Sequence, residues 1–278
     1  MRYILSLITF MLLTSVSHSQ RFLYLDDAID TTGNYLTSSY ITRVETDGGI
    51  VIDSAYANQC INDAVSNSYT DAYCFYDASL GVKKNANNKV TKIYDLLGIN
   101  DATQIDTSLS PTWYADSLNG LPTLKFDGVD DFMTMTDNWN GEAGTTWAFM
   151  TSFDKQVAPG GASQSLIGQG GGLWDQTHKF QDYQGYYMTV QMGGWTDNQD
   201  AALYLTTITA RTPKIYELTI DVTDTTYIFY INGNVDKTSA LSAADLTWGR
   251  MVIGQTYGGT LDPFNGRFSS LIILNKAY

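Results

Sequence analysis

The chain has 278 residues and a formal net charge of −13, with 44% apolar and 16% charged residues. That length holds one large or two small domains, and the composition is apolar enough for a buried core and too poor in charge for a disordered chain. The acidic balance excludes a binder of phosphate backbones, which needs a basic face.

Of the 29 acidic residues only Glu45, Glu142 and Glu217 are glutamates. Aspartate favours turns and caps, whereas glutamate favours helix interiors. With 24 Gly and 19 Tyr, the composition points to many short strands joined by turns.

Residues 1–19 read as a signal peptide: Arg2, an apolar run from Tyr3 to Val16, then the small residues of Ser17-His18-Ser19. The run is shorter than a spanning helix. The expectation is a secreted, extracellular or periplasmic protein with no membrane insertion. Residues 20–72 form an N-terminal extension. Within it Ser38 to Val44 alternates like a strand and ends at Asp47-Gly48-Gly49. Asp53-Ser54 caps a helix whose Tyr56, Cys60, Ile61, Ala64 and Val65 share one face. It is the only helix that the pattern supports. In an oxidising compartment Cys60 and Cys74 are expected to form a disulfide, closing a loop of about 15 residues worth roughly 3 kcal/mol. The alternative is two buried free thiols.

The remainder reads as strands and turns. Strands are expected at Leu121 to Phe126, Phe132 to Met135, Thr146 to Phe153, Gln164 to Gly168, Tyr186 to Met192 and Leu203 to Ile208. They continue at Lys214 to Asp221, Thr225 to Ile231, Met251 to Gly254 and Arg267 to Leu274. Asn232-Gly233 after the Thr225 strand is the strongest short hairpin signal. Short strands without alternating helices predict an all-β fold, a two-sheet antiparallel β-sandwich (jelly roll) with one short N-terminal helix. Phe126, Phe229, Ile231 and Ile273 are expected in its core.

The inventory removes several chemistries. After cleavage His178 is the one histidine, so a structural zinc site lacks ligands, and neither HExxH nor GxSxG occurs. Gly168-Gln169-Gly170-Gly171-Gly172 lacks the Lys-Ser/Thr of a phosphate loop and reads as a flexible hairpin tip.

Leu121-Pro122-Thr123-Leu124-Lys125-Phe126-Asp127-Gly128-Val129-Asp130-Asp131-Phe132 resembles the strand-turn-strand of concanavalin A-like, laminin-G-type jelly rolls. Phe75-Tyr76-Asp77-Ala78-Ser79 and Val90-Thr91-Lys92-Ile93-Tyr94-Asp95 resemble the opening segment of such modules, although Leu96-Leu97-Gly98-Ile99-Asn100 replaces the usual Ser-Gly-Asn turn. Tyr227 to Gly233 resembles the late hairpin, and Ile253-Gly254 with Phe264-Asn265-Gly266-Arg267 the closing pair. The resemblance spans residues 73–278 and implies a jelly-roll domain there. Residues 40–49 with the helix behind them look like a leader found ahead of such modules in some phage-like proteins.

Such modules include lectins, adhesins, glycosidases, lyases and virion proteins, so the site decides function. Glycosidases of this fold carry alternating carboxylates on one strand, as Glu-x-Asp-x-Glu. The nearest match, Glu217-Leu218-Thr219-Ile220-Asp221, lacks the middle acid, and catalysis is not expected. Glycan binding pairs aromatic platforms with amide and carboxylate groups. Trp195, Asp197 and Asn198, with Trp174-Asp175 and Tyr257, supply that chemistry on loops. Asp197, Asn198 and Asp200 offer hard oxygen ligands for Ca²⁺, and Asp130-Asp131 is a second Ca²⁺ candidate. The expected function is a secreted, non-catalytic carbohydrate-binding or adhesion module whose partner is an extracellular glycan. The alternative is a virion or tail-type structural protein, with a glycosidase or lyase behind both.

Overall fold

The computed structural model describes residues 31–277 apart from 70–71, 99, 141–143, 155–162, 171–178, 184–186, 192–202, 205–211, 222–223, 225, 241–246, 257–261 and 276. The expected signal peptide lies outside the described residues. Two helices, α1 (Thr31–Thr46) and α2 (Ser54–Ser66), precede most of the strands. The strands are β1 (Ile50–Val51), β2 (Cys74–Asp77), β3 (Gly81–Lys84), β4 (Val90–Ile93), β5 (Ala102–Thr103) and β6 (Thr112–Leu118). They continue with β7 (Leu121–Asp127), β8 (Met133–Asn140), β9 (Thr145–Phe153), β10 (Gln164–Gly170), β11 (Lys179–Tyr183) and β12 (Tyr187–Gln191). The last six are β13 (Leu203–Tyr204), β14 (Lys214–Asp221), β15 (Thr226–Ile231), β16 (Asn234–Ala240), β17 (Thr247–Ile253) and β18 (Asn265–Leu274).

These strands build two antiparallel sheets, as expected for an all-β sandwich. One has ten strands in the order β1-β3-β4-β5-β8-β17-β10-β11-β12-β13. The other has eight, in the order β16-β15-β14-β9-β18-β7-β6, with β2 also on β18. Both outer strands of the eight-stranded sheet return through Asn-Gly turns with positive φ at each residue: Asn119-Gly120 before β7 and Asn232-Gly233 before β16. That is the turn whose twist matches paired strands.

The core between the sheets holds Phe126, Phe229 and Ile273, with Ile231 partly buried against it. Phe229 and Ile231 therefore share the inward face. Phe180 of the ten-stranded sheet meets Phe149 with centroids 4.4 Å apart and stacks on Phe229 of the opposite sheet at 5.8 Å. Trp139 and Trp147 meet edge to face at 5.6 Å, again one from each sheet. A second core lies on the other side of the eight-stranded sheet. There Phe75, Leu121, Met150, Ile215, Ile272 and Leu274 meet Tyr40, Val44, Tyr56, Ala57, Cys60 and Ile61 of the helices. The eight-stranded sheet is thus a middle layer, and β9 is buried at all nine positions. Strands covered on both faces lose the alternation of a half-exposed strand.

Two expectations change. Ser38 to Val44 lies inside α1, not in a strand. Its buried residues Thr37, Tyr40 and Val44 recur at helical spacing, and the β-branched Ile41, Thr42 and Val44 imitate a strand. α2 forms as expected, with the Asp53 side chain accepting the Tyr56 N–H at 2.9 Å. The sandwich thus carries two helices ahead of it, and β1 of the extension joins β3 of the larger sheet.

The second change concerns the cysteines. Both are free and both are buried. Cys74 and Tyr76 of β2 face the space between the sheets, while Phe75 between them faces the helices, where Cys60 also lies. Strand alternation therefore puts the two thiols on opposite sides of one sheet, and the expected disulfide is not formed. Burial pushes both thiols well above their ordinary pKa.

Candidate functional site

The loop residues singled out for glycan and Ca²⁺ binding, Trp174, Asp175, Trp195, Asp197, Asn198, Asp200 and Tyr257, lie outside the described residues. The strands that bound them are informative. β11 is antiparallel to both β10 and β12, so β10 and β12 run in the same direction. Gly170 and Gln191, the last residues of those strands, therefore end on one edge of the ten-stranded sheet. Two strand spacings, roughly 10 Å, separate them.

β17 runs the other way and ends at the opposite edge. The chain then folds back: Gln255 and Thr256 pass over Gly168, and the Asp262 carbonyl accepts the Ser165 N–H at 2.7 Å. A Cβ on Gly168 would stand 2.8 Å from the Gln255 carbonyl oxygen and 2.9 Å from the Thr256 Cα, so only glycine admits this crossing. The glycine run is therefore not simply a hairpin tip: Gly168, Gln169 and Gly170 pair with Val252, Met251 and Arg250.

This crossing lies on the outward face of the larger sheet. Its inward residues include Val82, Ile93, Met133, Ile167, Phe180, Met251 and Ile253. In register between them runs an outward row: Lys83, Lys92, Thr103, Thr134, Val252 and Gly168, one from each of six strands, and the backbone pairing continues from Gly168 to Lys179 and Gln191. No carboxylate stands in that row. One step along, Asn138 faces Arg250 and Arg250 faces Gly170. Farther out, Tyr183 stands opposite Tyr187 and Thr189 opposite Tyr204. Sequence reading passed over this face. Its signal is alternation: glycine at 168 and 170, and Arg250 and Val252 alternating with the inward Met251 and Ile253.

The second Ca²⁺ candidate is described. The carboxylates of Asp127, Asp130 and Asp131 bring oxygen atoms within 4.8 Å of one another. Two of the three carboxylates serve the turn itself. Asp127 Oδ1 accepts the Val129 N–H at 2.8 Å, and Asp131 Oδ2 accepts the Asp127 N–H at 3.0 Å. Lys89 Nζ stands 3.3 Å from Asp131 Oδ1. Burial, then the charge of Asp127, raises the Asp131 carboxyl to about 6. The arrangement is that of a turn held by its own side chains.

On β14 the residues Tyr216, Leu218 and Ile220 face the core, leaving Glu217, Thr219 and Asp221 on the other face. Glu217 is buried, and burial raises its carboxyl to about 7.

A charged cluster that the sequence did not reveal fixes the helices to the larger sheet. Arg43 of α1 grips both carboxylate oxygens of Asp101, at 2.8 and 2.9 Å. Its guanidinium lies 5.6 Å from the Tyr40 ring centroid and 5.5 Å from that of Tyr94. Asp47 accepts from Tyr94 at 2.7 Å and pairs with Lys92 at 2.9 Å. The Lys92 bond, followed by Tyr94, holds the Asp47 carboxyl well below the usual carboxylate range. Asp95, fully buried, accepts the N–H groups of Phe75 at 2.8 Å, Asn100 at 3.0 Å and Leu97 at 3.3 Å. It thereby holds the turn that follows it, with Gly98 at φ 79°. The only isolated signals are one arginine in a helix of polar residues and an Asp before a Gly-containing turn.

No family model and no curated protein matches the chain. Among solved structures it is similar to the CBM40 of Ruminococcus gnavus IT-sialidase bound to alpha2,3 sialyllactose, at 13% identity and a TM-score of 0.45. That alignment covers 56% of this chain and 90% of the other. It is also similar to Trypanosoma rangeli sialidase in complex with 2,3-difluorosialic acid, at 14% identity and a TM-score of 0.49. There it covers 75% of this chain but spans only 31% of the sialidase. The sandwich assignment rests on the sheet topology itself.

Proposed function

We propose that the chain is a secreted, non-catalytic module that binds an extracellular glycan. The observation that carries this reading is the common edge at which β10 and β12 end. It brings together the bases of the two connections that contain Trp174-Asp175 and Trp195 to Asp200. An indole offers a flat apolar face to a sugar ring, and the neighbouring amide and carboxylate groups accept from its hydroxyls. Ca²⁺ on Asp197, Asn198 and Asp200 fits the hard oxygen donors there. The polar outward face of the larger sheet adjoins this edge, whereas the helices occupy the far side of the smaller sheet. Among the described residues no helix is long and apolar enough to cross a membrane.

Binding to immobilised glycans tests the reading through Trp195→Ala and Asp197→Ala. Each variant is expected to lose at least tenfold in affinity while its melting temperature in chelator stays that of the wild type. Wild-type binding by both variants would move the site away from these loops.

A further inference from the structure

We infer that the end of the sandwich built by residues 104–110 and 127–132 docks a basic, apolar segment of a partner protein. The inference goes beyond glycan binding and does not depend on it.

Both connections lie at one end of the ten-stranded sheet. β5 and β17 are each antiparallel to β8, so both run towards the end where β8 begins. The chain leaving β5 and the chain entering β8 therefore meet there, opposite the edge at which β10 and β12 end. Hydrogen bonds join them. The Phe132 N–H donates to the Leu109 carbonyl at 3.0 Å, and the Gln104 side chain donates to the Phe132 carbonyl at 3.4 Å. Lys89 Nζ ties both to one group, reaching the Ser110 carbonyl at 2.6 Å and Asp131 at 3.3 Å. Each connection is also braced from within. Gln104 Oε1 accepts the Asp106 N–H at 3.0 Å, Asp106 Oδ1 accepts the Ser108 N–H at 2.9 Å, and Asp127 Oδ1 accepts the Val129 N–H at 2.8 Å.

On this braced frame apolar side chains face water. Ile105 is 94% exposed and Val129 68%, the two most exposed large apolar residues among those described. Leu109 and Phe132, whose backbones form the joint, are half-buried. Turns are ordinarily polar. Apolar residues held out of two hydrogen-bonded turns at one end, with a polar surround, have the make-up of a contact surface.

Charge selects the occupant. The two segments contain Asp106, Asp127, Asp130 and Asp131 and no Lys or Arg. Asp131 is paired with Lys89. Asp106 Oδ2, Asp127 Oδ2 and both carboxylate oxygens of Asp130 have no hydrogen bond or ion pair among the described residues. Apolar residues ringed by unpaired carboxylates match aliphatic or aromatic side chains flanked by Lys or Arg. A second copy of the chain would bring the same carboxylates to a symmetric contact, and an anionic bilayer would be repelled.

The test selects peptides from a random displayed library on the wild-type protein in chelator, which keeps metal ions off the carboxylates. The enriched peptides are then synthesised and titrated. They are expected to combine aliphatic or aromatic residues with Lys or Arg. Ile105→Ser and Val129→Ser should each lower their affinity tenfold or more while melting with the wild type, because both side chains already lie in water. The double variant Asp106→Asn, Asp130→Asn should bind more weakly and with a shallower dependence on salt. The inference is overturned if no enriched peptide responds to Ile105→Ser or Val129→Ser, or if the peptides that respond carry no cation. Self-association of the wild type, or its binding to phosphatidylserine vesicles, that Ile105→Ser abolishes would overturn it too, by assigning the surface to another occupant.

Discussion

Asp95→Ala is expected to be among the most damaging single changes outside the apolar core. The Asp95 carboxylate is fully buried and receives three backbone N–H groups, from Phe75, Leu97 and Asn100. Alanine leaves all three donors without their acceptor in a place that water reaches poorly. At about 1–3 kcal/mol for each unsatisfied buried group, with some relaxation, the loss should be about 4 kcal/mol. That is a large part of the roughly 5–15 kcal/mol that a folded domain commands. Asp95→Asn keeps one oxygen for the N–H groups of Phe75 and Leu97 but turns an amide N–H₂ towards the Asn100 N–H, itself a donor, and should cost about 2 kcal/mol. Urea titration followed by tryptophan fluorescence measures both. Asp106→Ala is the control, because Asp106 is exposed and caps only a short 3₁₀ turn through the Ser108 N–H. A loss under about 1 kcal/mol for Asp95→Ala, comparable with that control, would refute the role assigned to Asp95.

Other expectations follow from single contacts. Asp131 has its carboxyl raised to about 6 in the folded chain against an ordinary 3.8; such a group contributes stability that is complete below about pH 4 and lost as pH rises through about 6. Stability measured across that window should fall by on the order of 2 kcal/mol more in the wild type than in Asp131→Asn. Gly168→Ala should cost about 1–3 kcal/mol, because its Cβ meets the backbone of Gln255 and Thr256; an unchanged melting temperature would contradict that crossing. A thiol reagent should label neither Cys60 nor Cys74 in the native protein and both after denaturation, since both are free and buried; a non-reduced Cys60–Cys74 peptide would contradict the observed chain path.

Much of the fold was legible because it is written in local signals. The strand from Lys214 to Asp221 matches its expected bounds, and Asn232-Gly233 forms the expected turn. The Asp53 cap sits where the sequence places it. The failures have physical causes. α1 contains β-branched residues whose spacing imitates a strand, and its helical burial becomes visible only once a sheet lies against it. Cys60 and Cys74 are close in sequence, but strand alternation sends them to opposite sides of β2. β6 and β16 were missed because they are largely exposed outer strands with polar residues. The outward row from Lys83 to Gly168 joins six strands, so only pairing register reveals it. The Arg43–Asp101 clamp spans 58 positions and has no sequence signature at all.

Binding of the wild-type protein across a glycan array, with Ca²⁺ and again with chelator, is the decisive measurement for the glycan-binding proposal. Binding to a restricted set of glycans is expected, weakened by chelator and accompanied by no release of reducing ends. Absence of binding to every glycan in Ca²⁺ would contradict it, and so would release of reducing ends that Glu217→Gln abolishes without unfolding the protein.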